Sequence, residues 1–268
     1  MNKTKELLKI IGSLLLIIIL TFAVGSILAW LGFGPDSNWT GILSVLLSQI
    51  IFAVCAYLII RKKKKTYGPS YIRNKGFESD SWKMIIIGLG TAGFGNLLIS
   101  QVVKLLGENN LLVNNSIDMV NNALSAQTTI DIILQIVVLV VIAPIVEEFL
   151  FRGYVFTETK RMFSLAASVI INGLLFGLFH MNLLQGINTF FLAIVLSLVY
   201  YHRANITDNI IVHFTNNAIA IVTSFIPQYA SAIGIVLIIC IFLGLYLLVK
   251  ICRESNNEFE YQINREKF

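Results

Sequence analysis

Charge is what this sequence has least of. Only 13% of its 268 residues are charged and 56% are hydrophobic, with a mean hydropathy of +0.79. A soluble domain has about 25% charged residues. A soluble core of this size has no room to hide so much apolar surface. Cysteine is scarce too. Cys55, Cys240 and Cys252 are odd in number and lie in or at the end of apolar segments. They show no CxxC or Cys/His metal spacing and read as small packing residues. There is no GxSxG, no suitably placed cysteine nucleophile and no HExxH. No internal repeat or low-complexity tract appears, and so none of the paired broken helices of a repeat-built transporter. The net charge of +5 does not indicate nucleic acid, because the basic residues cluster in short loops beside apolar runs.

What is present is a series of apolar runs. A span needs roughly 20 mostly apolar residues, and eight segments qualify or nearly do: about 8–33, 41–60, 83–106, 131–156, 164–181, 185–202, 206–226 and 229–251. The first, from about Leu14 to Leu31, is longer than the roughly 7–15 residues of a signal-peptide core and reads as a retained span. The fold class is therefore all-α, a polytopic membrane protein of about eight transmembrane helices. With both termini cytoplasmic, 18 of the 20 Lys and Arg fall on one side; the exceptions are Lys104 and Arg152. The run Arg61–Lys65 reads first as a positive-inside signal, with weak attraction to anionic lipid following from it. Three regions are expected: 1–126, three helices with a basic loop; 127–227, a core bearing the polar motifs; and 228–268, a last helix and tail.

Polar residues interrupt three of the spans. Glu147 and Glu148 are adjacent within an apolar helix, where ionised carboxylates are costly and mark function. Glu148 and Arg152 are spaced i, i+4 and share a face, whereas Glu147 points about 100° away. One carboxylate can thus be neutralised while the other faces a cavity. Pro144 just upstream removes a backbone N–H, a break tolerated where it is buried in protein or lines water. On the next span Asn172, Phe176 and His180 form one stripe. On the seventh, His213 and Asn217 share a face. The chain has only three histidines, and the third, His202, reads as an ordinary interfacial residue. Taken singly, each feature has a plain structural reading: a histidine bonded to a neighbouring helix, asparagines as interhelical glue, an ion pair. Together they are the ingredients of a site that activates water. A glutamate can take the proton, a histidine can orient the water, and a His–Asn pair can hold an oxyanion.

The order Glu147-Glu148-x-x-x-Arg152, Phe176-x-x-x-His180, His213-x-x-x-Asn217 resembles the CAAX-processing and bacteriocin-processing (CPBP, Abi) family of intramembrane endopeptidases. Phe151, Gly153 and Gly177 also look like the family, and the likeness covers about residues 130–225. It implies an eight-helix membrane fold and hydrolysis of a peptide bond by activated water. On that resemblance Glu147 is the general base and His180 helps to position water. His213 and Asn217 form the oxyanion site. Glu148 shares or supports the base role, and Arg152 and Phe176 support the site. No cofactor is required on the preferred glutamate-type mechanism. The metal-dependent alternative uses Zn²⁺ held by Glu147, His180 and His213.

The expected partners are a peptide or protein substrate at the membrane and the lipid bilayer, with no nucleic acid. The role is peptide maturation, bacteriocin self-immunity or CAAX-type processing. The competing readings are a non-catalytic immunity or scaffold protein and a proton-coupled transporter. An Ile/Asn/Lys-rich composition suits a low-GC bacterium and its cytoplasmic membrane. One geometric condition must be met. Straight helices place Glu147 roughly 16 Å deep, His213 roughly 10 Å and His180 roughly 25 Å. The site therefore requires a tilt, or a later start to the fifth span with Met181–Gln185 dipping into the bundle.

Overall fold

A computed structural model describes residues 2–31, 40–123, 128–254 and 258–265. The end of the first expected span at 32–33, the expected 126/127 boundary and Lys267 lie outside them. Among the described residues the chain is helical, with no strand. The helices are α1 Lys3–Trp30, α2 Thr40–Tyr67, α3 Lys83–Leu106, α4 Leu111–Ala123, α5 Thr129–Met162, α6 Leu165–Phe179, α7 Leu183–Arg203, α8 Ile206–Phe225, α9 Ala230–Glu254 and α10 Glu258–Arg265. All eight expected segments are helical over most of their described residues. Among the described residues six helices are long and apolar enough to cross a membrane: α1, α2, α3, α5, α7 and the one ending at Glu254. The chain is a polytopic, integral membrane protein. The two that fall short are α6, apolar but only 15 residues long, and α8, whose buried face carries Asp208, Asn209, His213, Thr215 and Asn216. They are also the two that carry the histidine motifs.

Lipid-facing helices show the inverse of a soluble pattern. Along α1, Leu15, Leu16, Ile19 and Phe22 are exposed while Ile10, Leu14 and Ile17 are buried. Where two helices must approach closely, glycine removes the obstacle. A Cβ on Gly90 of α3 would strike the Cys240 carbonyl of α9, and one on Gly93 would lie 2.9 Å from the Leu237 carbonyl. Gly177 of α6 and Gly186 of α7 face each other in the same way, with an added Cβ only 2.6 Å from the Gly186 oxygen.

The basic segments meet at one end of the bundle. Lys63 pairs with Glu158 at 2.5 Å, Lys75 with Glu258 at 2.6 Å and Lys160 with Glu260 at 2.7 Å. Arg203 bonds Asp80 at 2.6 Å, Glu78 at 3.1 Å and Asp208 at 2.7 Å. Burial alone would raise the Asp80 carboxyl, but hydrogen bonds from Arg203 and Lys83 hold it below its ordinary value. Burial, aided by the Glu158 carboxylate, pushes the Tyr71 phenol well above its ordinary value. Helix α10 closes this end by seating Phe259 against Phe156, Tyr200, Tyr201 and the Arg73 guanidinium.

Two departures from the expected layout matter to the site. The fourth span runs on to Met162 instead of stopping near 156. It starts at a capping box, in which Asp131 N–H donates to Thr128 Oγ1 at 3.2 Å and Thr128 N–H to Asp131 Oδ2 at 2.8 Å. It is widened to π geometry over Ile136–Ile142 and Phe149–Phe156, on either side of Pro144 and the two glutamates. Ala143 N–H accordingly donates to Val138 O, five residues back. The second departure is α4, a further helix inside the segment 107–130 that separates the third and fourth expected spans.

Candidate active site

Helices α5 and α6 form a hairpin about their Met162–Leu165 turn. Glu147 is fifteen residues before Met162 and His180 fifteen after Leu165. The equal residue counts put both at a similar distance from that turn, and Glu147 Oε2 lies 4.0 Å from His180 Nε2. The mismatch expected from straight spans came from ending the fourth one too early. The short α6 stops at Phe179, His180 caps it, and Met181 takes φ 52°, which turns the chain back into α7. Helix α8 begins beneath the 61–82 segment, where Ile206 N–H donates to Arg73 O at 2.9 Å. Its first residue is already buried, so His213 reaches the same level despite being only seven residues in.

The two glutamates have separate environments. Glu148 is fully buried and fully bonded. Its Oε1 accepts from Arg152 Nη1 at 3.0 Å and from His213 Nδ1 at 2.8 Å, and its Oε2 from Asn209 Nδ2 at 3.2 Å. Glu147 turns the other way. Its Oε2 lies 3.8 Å from His213 Nε2 and 4.0 Å from His180 Nε2. Arg152 is completely buried, and its guanidinium lies 4.9 Å from the Phe176 ring. Phe176, also fully buried, stands edge-on to His180 at 4.8 Å and to His213 at 5.9 Å. One aromatic side chain thus touches both imidazoles and the guanidinium.

The bonds fix how the two histidines face Glu147. His180 Nδ1 lies 2.8 Å from Phe176 O. A carbonyl only accepts, so Nδ1 carries the hydrogen. His213 Nδ1 meets the Glu148 carboxylate, which as an ion also only accepts. In the neutral rings both Nε2 atoms therefore present a lone pair toward Glu147. Glu147 Oε2 and one of these nitrogens can each accept a hydrogen from a water molecule, which donates two hydrogen bonds.

The structure brings together Glu147, Glu148, Arg152, Phe176, His180 and His213. Asn217 sits apart from the carboxylates. Its Nδ2 donates to Leu139 O on α5 at 3.0 Å and its Oδ1 accepts from Asn216 at 3.3 Å. Leu139 lies about two turns before Glu147. Asn209 is the site residue that sequence reasoning missed. The signal was available, since Asn209, His213 and Asn217 form one i, i+4 ladder and the motif reading began it one turn late.

The donor types here suit zinc, but the spacing does not. Tetrahedral zinc with bonds of about 2.0–2.1 Å holds its ligand atoms about 3.3 Å apart, and Glu147 Oε2 is 3.8 Å and 4.0 Å from the two Nε2 atoms. Among the described residues no group of three or more His, Cys, Asp or Glu side chains is arranged to hold a metal ion.

Residues 129–219 match the family model described as type II CAAX prenyl endopeptidase Rce1-like. The matched segment begins at the start of α5 and ends just past Asn217, so it contains all three motifs. The likeness read from the motifs is borne out over this segment. Neither a curated protein nor a solved structure matches the chain.

Proposed function

We propose that the chain is an intramembrane endopeptidase of glutamate type, with Glu147 as the base. The observation that carries this reading is the division of labour between the two carboxylates. Glu148 has its oxygens engaged by Arg152, Asn209 and His213, while Glu147 Oε2 faces two imidazole nitrogens. A water held there donates one hydrogen to Glu147 and the other to His180 Nε2. Its oxygen attacks the peptide carbonyl carbon as the first proton moves to Glu147. The carbonyl π electrons go to oxygen. When the tetrahedral intermediate collapses, the C–N bond breaks and the proton on Glu147 passes to the leaving nitrogen.

The oxyanion needs a donor. With Nδ1–H bonded to Glu148, His213 donates from Nε2 only as an imidazolium. The substrate is a peptide or protein segment in or at the membrane. The basic end of the bundle faces the cytoplasm of a bacterial cell, and the role is peptide maturation, bacteriocin self-immunity or CAAX-type processing.

Comparative terminal proteomics of cells carrying wild type or Glu147→Gln tests the reading. The variant keeps the side chain's shape and loses its basicity. The expected result is the loss of specific peptide termini with the protein still present at normal levels in the membrane. Identical termini in both strains would overturn it, and an immunity phenotype surviving in the variant would point to a binding-only protein.

A further inference from the structure

Helix α7 carries none of the three motifs, yet two of its consecutive residues anchor the catalytic turn. Leu196 and Ser197 are both fully buried. Leu196 O accepts from Asn209 Nδ2 at 2.7 Å, and that same amide nitrogen donates to Glu148 Oε2 at 3.2 Å. Ser197 Oγ donates to Asn172 Oδ1 at 3.1 Å, and Asn172 Nδ2 donates to Phe151 O at 3.0 Å. Asn209 on α8 and Asn172 on α6 thus reach across the bundle to the two ends of the Glu148–Phe151 segment, where α5 passes into its second widened stretch. Both asparagines are 0% exposed.

The Asn209 bridge bears directly on the chemistry. One nitrogen uses both of its hydrogens, one on a main-chain carbonyl that cannot move and one on a carboxylate that can. Glu148 Oε2 is thereby tied to α7, which fixes the direction in which Oε1 meets His213 Nδ1 at 2.8 Å. The ring of His213, and with it the direction of Nε2 toward Glu147, depends on that carboxylate. Arg152 cannot replace the bridge. It holds Oε1 through Nη1 and leaves Oε2 free to swing.

We propose that Asn209 is a positioning residue. It locks the Glu148 carboxylate to the α7 main chain and through it sets the orientation of the His213 imidazole. The role rests on the protease reading only for its kinetic consequence; the positioning itself does not.

The test uses the full chain labelled with ¹⁵N-histidine in detergent micelles. Three histidines give a simple spectrum, and His213→Gln assigns the His213 signals by their disappearance. Asn209→Leu removes the bridge while keeping the number and branching of the side-chain heavy atoms. The expected result is a shift of both His213 ring nitrogens, with the His180 signals in place and the thermal melt still cooperative. On the peptide identified by the Glu147→Gln comparison, kcat falls by roughly tenfold to a hundredfold, as for a misplaced catalytic group, with KM within about twofold of wild type. Unmoved His213 signals would overturn the proposal, and so would an unchanged kcat. If Asn209→Leu does not fold, Asn209→Ser takes its place, because its shorter hydroxyl cannot span Leu196 O and Glu148 Oε2. The spectroscopic arm needs no substrate. A wild type that cuts nothing therefore counts against the protease reading and leaves this one to be decided by the His213 signals.

Discussion

Glu148 and Arg152 form an ion pair with no exposure to solvent at either side chain. Removing one partner of such a pair leaves an uncompensated buried charge, which costs about 3–5 kcal/mol. Arg152→Met should therefore lose roughly that much stability, read as a lower melting temperature of the purified protein in detergent. The loss is expected even though Arg152 donates only one bond to the carboxylate, because Nε and Nη2 have no hydrogen-bond partner among the described residues and the Phe176 ring covers the guanidinium instead. The split between the two glutamates was legible at this scale. A 100° step between neighbours and an i, i+4 spacing to Arg152 assign one carboxylate to the cation and leave the other free. Asn209 was not read, although its spacing matched. A lone asparagine four residues before a histidine has no meaning until the carboxylate it bonds, on a different helix, is known.

Helix by helix, the site depends on lengths and close approaches more than on motif chemistry. The α6–α7 hairpin brings His180 to Glu147 because Gly177 and Gly186 let the two backbones touch. A methyl group at Gly177 would sit 2.6 Å from a main-chain oxygen, and a backbone cannot move as the end of a side chain can. Gly177→Ala should push α7 away, cost about 1–3 kcal/mol as overpacking does, and lower cleavage by tilting His180. Melting temperature and product formation, measured together, check both effects. The sequence indicated that a span was present here but not where it ended. A short helix capped by a histidine and an over-long helix with two widened turns look alike when each is read as a run of apolar residues. Hydropathy counts residues without knowing which of them lie past the bilayer. The matching distances of Glu147 and His180 from their shared turn emerge only once both helix ends are fixed.

Across the molecule, basic residues gather at one end through ion pairs between segments far apart in sequence, and the opposite segment 107–130 contains no Lys or Arg. This asymmetry predicts the orientation. In a background with the three native cysteines replaced, Asn109→Cys should label with a membrane-impermeant maleimide on intact cells. Lys64→Cys should label only after the cells are opened. The reverse pattern would invert the topology, and labelling of both from outside would refute it. The sequence by itself determined that this is a helical membrane protein and which residue types form its polar centre. Each of those follows from local composition or from spacing within one helix. Only the tertiary structure decided that Glu147, His180 and His213 stand at one depth, that Asn217 turns to the α5 main chain, and that the motif-free α7 holds the centre through Asn209 and Asn172. These are relations between helices. They depend on where each helix ends and which face its neighbour covers, and no single stretch of sequence records either.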